Sequence, residues 1–310
     1  MPGRRLSGAA LVLLAWALGA CATPQTAQLV EAPGDLPVRA EVADVPFFPQ
    51  EQYYCGPAAL STALGWTGVS VSPDELAQQV YTPDRQGSLQ SDMIAAARRS
   101  GRMAVPVRNL RDLTTEIAAG HPVVVFQNLG LEWYQQWHFA VAVGYDLERR
   151  EITLRSGSEP RHVTPFETFE RTWRRGDYWA LVVLRPEVLP ASAELDSVLR
   201  AAAGLERVEN YREAAAAYAA IIGRWPDSYS ALMGLGNVRY SEGDLGGAES
   251  AFRQAVELMP SQAEGWNNLA YALAAQGRQD EAIEAAREAL RLSPGNQAPY
   301  LDTLRDVSRI

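Results

Sequence analysis

Phe48-Pro49-Gln50-Glu51-Gln52-Tyr53-Tyr54-Cys55-Gly56-Pro57-Ala58-Ala59-Leu60 is the stretch on which the reading of this chain turns. Gly-Pro directly after Cys55, with an apolar run beyond, predicts a helix that opens at Gly56 and runs to about Trp66, because proline is tolerated in a first helical turn. Cys55 then stands where unpaired amide N–H groups and the positive end of the helix dipole favour a thiolate. The chain has two cysteines, and the other, Cys21, closes an apolar N-terminal segment. With Cys21 committed there, Cys55 has no disulfide partner and reads as a candidate nucleophile, against the plainer role of a small buried apolar residue.

Working outward toward the N-terminus, Arg4 and Arg5 precede an almost wholly apolar run from Leu6 to Ala20, and Leu18-Gly19-Ala20 lead into Cys21. This pattern is that of an export signal over residues 1–20, too short to span a bilayer, which takes about 20 residues. Leu-x-Ala before a cysteine resembles the bacterial lipobox. That resemblance implies a lipidated Cys21 and, with Ala22 following it, an outer-membrane lipoprotein facing the periplasm. Residues 21–44, rich in Pro, Ala, Gln and Glu, read as the lipidated cysteine and a tether.

Loss of residues 1–20 removes two Arg and no acid, leaving 26 basic against 37 acidic residues and a net charge of -11. Such a balance argues against a nucleic-acid partner. All 28 basic residues are Arg, which excludes a P-loop lysine, hence nucleotide binding of that type, and a Schiff-base lysine. One thiol and three scattered histidines show no metal-ligand spacing, and no cofactor is expected.

Residues 45–185 read as one mixed domain. Helices are expected after Cys55, after the capping box Ser72-Pro73-Asp74-Glu75, over Leu89–Arg99 and over Leu110–Ala119. Strands are expected over Pro122–Phe126, Phe139–Tyr145, Glu151–Leu154 and Tyr178–Leu184 in a largely antiparallel sheet. Helices first and strands second is an α+β order.

Gln50, Cys55-Gly56-Pro57-Ala58 and His138-Phe139-Ala140-Val141-Ala142-Val143-Gly144-Tyr145-Asp146 carry a family resemblance. They resemble the papain-like cysteine peptidases that process bacteriocins by removing double-glycine leaders, and their stand-alone relatives. The resemblance implies attack by a Cys55 thiolate on a peptide or amide carbonyl, with His138 as base and Gln50 as an oxyanion donor. Gln52 is the competitor for the last role. Among the other histidines, His121 is explained by strand entry before Pro122, and His162 lies in a polar stretch and is the second choice as base. The family has Asp or Asn on the strand after the histidine, and Ser156 occupies the matching place here. A hydroxyl can fix an imidazole tautomer but cannot stabilise an imidazolium as a carboxylate does. Asp146 and Asn128 remain alternative orienters.

Residues 186–194 contain Pro186 and Pro190 and read as a stiff linker. Beyond it Pro226, Pro260 and Pro294 recur every 34 residues, as do Ala214, Ala248 and Ala282, while Gly243 and Gly277 share the spacing. This is the period of tetratricopeptide repeats, expected over 195–228, 229–262 and 263–296, with a capping helix beyond. The first unit is degenerate, with Glu209 in place of the glycine. The cap is expected to turn Leu301, Leu304 and Val307 to one face. Such arrays present a concave face to protein partners, and Asn267 and Asn268 are candidates to clamp a peptide backbone there, although exposed polar residues are more often merely solvated.

The fold expected is therefore α+β, a papain-like cysteine peptidase domain followed by an all-α repeat array. The function expected is a membrane-anchored cysteine peptidase acting on a peptide or protein. The rivals are an inactive peptide-binding adaptor and an amide-bond transferase on the same scaffold, which no residue separates from a hydrolase.

Overall fold

A computed structural model of the chain describes residues 23–49, 54–131 and 133–309. It forms two compact units, residues up to 89 with 106–182, and residues 90–105 with 183–310. Cys21, Gln50 and Gln52 lie outside the described residues, as does the export segment.

The sheet is built from β1 (Arg39–Glu41), β4 (Met103–Val107), β5 (Val123–Asn128), β6 (Trp137–Asp146), β7 (Glu151–Ser156), β8 (Glu159–Pro165) and β9 (Ala180–Leu184). Its order is β4-β9-β5-β6-β7-β8, with β1 beside the far end of β6; β2 (Tyr81–Thr82) and β3 (Gly87–Ser88) form a separate short ribbon. β5 and β6 pair antiparallel with Gln127 opposite His138 and Phe126 opposite Phe139. Every residue of β5 and of β9 is buried, as their continuous apolar runs require.

Helix α2 (Cys55–Trp66) packs on β6 and buries its residues from Gly56 to Leu64, so it is a central helix rather than an amphipathic one. Helix α3 (Pro73–Val80) starts with the expected capping box at Ser72 and Glu75. Helices α4 (Gln90–Arg99) and α5 (Leu110–Ala118) fall within a residue of expectation. Within the mixed domain β4, β8, the β2–β3 ribbon and helix α6 (Phe166–Arg174) were not expected. α6 carries Phe166, Phe169 and Trp173 fully buried.

The expected tether is instead folded from residue 24 on. Pro24–Glu31 forms helix α1, with Thr26 and Leu29 buried. The buried Glu170 carboxylate of α6 accepts from the Gln25 and Thr26 amides at 3.1 and 2.7 Å, supplying the N-terminal cap. Gln25 in turn accepts from the Leu110 amide at 2.6 Å, and β1 pairs with β6. A polar, proline-bearing composition described the segment; partners about 145 residues away gave it a structure.

In the second unit, residues 195–292 form three helix pairs: Leu195–Glu206 with Tyr211–Arg224, Tyr229–Glu242 with Leu245–Leu258, and Ala263–Ala275 with Gln279–Leu292. Ala214, Ala248 and Ala282 are fully buried where helices approach. Size complementarity sets the spacing. A Cβ at Gly236 would run into the Phe252 ring, whereas the next repeat places Ala270 and Ala286 at those registers. Gly243 and Gly277 end their helices at φ +80° and +75°, and Glu209 takes the same left-handed conformation at φ +62°. Without glycine that costs about 1 kcal/mol, the local weakness of the first repeat.

This unit also takes in residues 90–105, which the sequence reading placed in the mixed domain. Asn210 donates to the Arg98 carbonyl at 2.6 Å, and the Arg98 guanidinium lies against Gly204. The capping helix spans Ala298–Val307; Tyr300, Thr303 and Val307 are buried, Leu304 is partly so, and Leu301 is exposed. The apolar face is therefore turned from the one expected.

Candidate active site

Cys55 is the first residue of α2, with Tyr54 at the cap stacked on Tyr81 at 5.5 Å. Its side chain is half-buried and faces the backbone amides of Phe139, Gly56 and Cys55 itself. The Phe139 amide is the decisive neighbour. It is joined directly to His138, so the packing of α2 on β6 brings two residues 83 positions apart to one place.

The His138 ring is half-buried, and its Nε2 lies 2.9 Å from Ser156 Oγ on β7. When Nε2–H donates to that hydroxyl, Nδ1 carries the lone pair and is free to take a proton. Ser156 thus stands where an orienting group is needed. Asn128 is occupied elsewhere: its Oδ1 accepts from the Gly130 and Gln136 amides at 3.0 and 2.9 Å. Asp146 closes its turn by accepting from the Arg149 amide at 3.0 Å.

The other histidines separate cleanly. His121 Nδ1 pairs with the buried Glu116 carboxylate at 2.7 Å and packs edge-on against Trp66, a structural arrangement. His162 lies on β8 with Nδ1 3.1 Å from Glu159, and it is close enough to act electrostatically on His138. Composition marked this stretch only as polar; the β7–β8 pairing brings Leu154 opposite His162 and Ser156 opposite Glu159.

Electrostatically the pair is neutral. Burial, with a smaller contribution from His162, pushes His138 down to about 4. Burial also raises the Cys55 thiol above its ordinary value, against the lowering effect of the three facing amides. The helix start therefore does not by itself deliver a thiolate, because desolvation outweighs the facing amides. Ser156→Asp is expected to reverse this: a carboxylate at Nε2 raises the imidazole pKa by roughly 1–3 units and holds an imidazolium. An NMR titration of His138 checks it, and an unmoved midpoint would show that Ser156 does not control the ring.

Among the described residues no cluster of His, Cys, Asp and Glu has the geometry of a metal site. In the repeats, Asn268 donates to Asn237 at 2.9 Å, Asn267 to Asn268 at 3.2 Å and Thr303 to Asn267 at 2.6 Å. Asn267 and Asn268 thus tie successive helices together and are not merely solvated.

Comparisons with known proteins follow this division. Residues 42–180 match the model of the Peptidase_C39 like family, and residues 199–263 and 237–297 match a tetratricopeptide repeat model. A peroxisomal targeting signal receptor from Kluyveromyces lactis is 39% identical over 62 residues, 20% of this chain and 11% of that protein, so the chain spans about a tenth of that relative's length. Among solved structures, a C39-like protein from Bacillus anthracis is 18% identical with a TM-score of 0.40, covering 47% of this chain and 97% of its own. The first tetratricopeptide domain of Spaghetti (RPAP3), bound to an HSP90 peptide, is 20% identical with a TM-score of 0.35, covering 37% and 90%. The chain carries a Peptidase_C39-like domain followed by tetratricopeptide repeats.

Proposed function

We propose that the chain is a cysteine peptidase of the cell envelope, anchored through lipid on Cys21, with Cys55 as nucleophile and His138 as base. The observation that carries this reading is the Cys55 thiol facing the amide next to His138, with the ring held by Ser156. Because both groups rest neutral, His138 acts as a general base at the moment of attack rather than as half of a standing ion pair. Nδ1 takes the thiol proton as sulfur bonds to the carbonyl carbon. The facing amides, and in this reading the Gln50 side chain, hold the oxyanion. The imidazolium then protonates the leaving amine, leaving a thioester that water resolves with His138 again as base. The repeats recruit a protein partner or substrate.

One observation favours a second reading. The imidazole partner is a hydroxyl and the residue acting electrostatically on the ring is another histidine, an arrangement that also suits a peptide-binding adaptor without turnover. The pH dependence of the two chemistries separates them. Iodoacetamide labelling of Cys55 is expected to rise with a midpoint above about 8.5, and peptide hydrolysis to fall off only as pH drops to about 4, where His138 takes up its proton. Labelling with the same midpoint and no hydrolysis at any pH would leave the adaptor. A labelling plateau from pH 5 upward would instead show a standing ion pair and overturn the neutral-pair mechanism. The same depressed His138 value makes folding stability pH-dependent: the neutral form is native, so stability is full above about 6.5 and is lost as pH falls toward 4.

A further inference from the structure

The β5–β6 hairpin ends in Leu129-Gly130-Leu131-Glu132-Trp133-Tyr134-Gln135-Gln136-Trp137. Trp133 is 83% exposed, Tyr134 62%, Leu131 53%, Leu129 49% and Trp137 46%. Among the described residues, half of the exposed large hydrophobics thus fall within this one tip, a patch rather than a scatter.

The tip is firmly built. Leu131 and Tyr134 exchange backbone hydrogen bonds at 2.9 and 3.1 Å, Asn128 Oδ1 holds the Gly130 and Gln136 amides, and the Arg175 guanidinium holds the Asn128 carbonyl at 2.9 Å. A Cβ at Gly130 would collide with the Tyr134 carbonyl. The Trp133 indole and the Tyr134 phenol thus face water from a hydrogen-bonded frame.

Where the chain enters the fold points to what covers them. Residues up to 22 lie upstream of α1, whose first amides are capped by Glu170; five residues on, at the end of α6, Arg175 grips the hairpin base. Five helical residues span roughly 7–8 Å. Cys21 precedes Pro24 by three residues, at most about 11 Å of chain. An anchor at Cys21 thus places this corner of the unit against the membrane.

We propose that the hairpin tip inserts into the interfacial layer of a lipid bilayer, with Trp133, Tyr134 and Leu131 as the inserted residues. Trp and Tyr favour that layer because one end of each ring is apolar and the other polar. Attraction by charge plays no part, since the stretch 129–137 holds one acidic residue, Glu132, and no basic one, and the chain is acidic; zwitterionic lipid suffices. A substrate-binding role fits less well. Trp137 and His138, successive on a strand, project to opposite faces. The inference rests on the proposed anchoring at Cys21 for its direction, so the two are tested apart.

The full-length lipoprotein is reconstituted into phosphatidylcholine vesicles, plain or brominated on the acyl chains, and indole fluorescence is compared. Wild type is expected to be quenched by the brominated lipid. Trp133→Phe removes most of that quenching while the protein still floats with the vesicles, and Leu131→Asp combined with Trp133→Asp abolishes it. Equal quenching in wild type and Trp133→Phe, or none in a wild type that floats, overturns the proposal. Peptide hydrolysis lost in Trp133→Phe without any wild-type quenching would assign the tip to substrate instead. Flotation that survives Cys21→Ser, together with Trp133 quenching, removes the anchor and leaves the insertion standing.

Discussion

Replacing Cys55 with Ala is expected to lower peptide hydrolysis by about 10⁴-fold or more, to the background left by binding and oxyanion contacts alone. No other described side chain at the site can supply a nucleophile of comparable strength: Ser156 is engaged with His138, and its attack would leave the ring without an orienter. Cys55 forms no disulfide, so the variant should melt within a few degrees of wild type. His138→Ala is expected to cost a similar factor, and the double variant no more than either single one, because nucleophile and base act as one unit. Turnover in Cys55→Ala above about a hundredth of wild type would remove Cys55 from the chemistry.

Trp173→Ala should cost about 3–5 kcal/mol of folding stability, read from urea denaturation of the intact chain. Trp173 is fully buried, stacks on Phe169 at 5.3 Å and meets Tyr178 edge-on at 5.3 Å. Its Nε1 also donates to the Trp179 carbonyl at 2.8 Å. Truncation leaves a cavity and removes one of the two hydrogen bonds that the Trp179 carbonyl accepts, the other coming from the Phe126 amide at 3.1 Å. Trp173→Phe keeps most of the packing and loses mainly the hydrogen bond, so it should cost less than half as much. A loss below about 1 kcal/mol for the alanine variant would show that helix α6 is not part of the stability core. The consequence reaches the site, because α6 also donates Thr172, which receives Gln127 at 2.6 Å, opposite His138 in the sheet.

Local signals were legible in proportion to how local their causes are. The Ser72 capping box, the 34-residue repeat and the strands bearing Cys55's partner residues depend on neighbours in sequence, and each was found within a few positions. β8 was missed because Glu159, Arg161 and Thr164 read as polar loop; as an exposed edge strand it needs no apolar alternation. α1 was missed because its cap is Glu170. The left-handed Glu209 was visible only as a missing glycine, although its backbone keeps the glycine conformation.

For the candidate site, residue types and order pointed to Cys55 and His138, since a thiol at a helix start and a histidine heading an apolar strand are uncommon by chance, whereas Ser156 came only from the family resemblance. Their protonation was not legible. Whether a thiol and an imidazole rest charged depends on how much water the packed helix and sheet leave them and on which side chain lies beyond Ser156. Burial removed the solvent that would have stabilised the ion pair, and the β7–β8 register put His162 near enough to the ring to add to the effect. Composition and spacing determined which groups are present; only the tertiary packing decided their charge, because desolvation is a property of the assembled surroundings and not of any one residue.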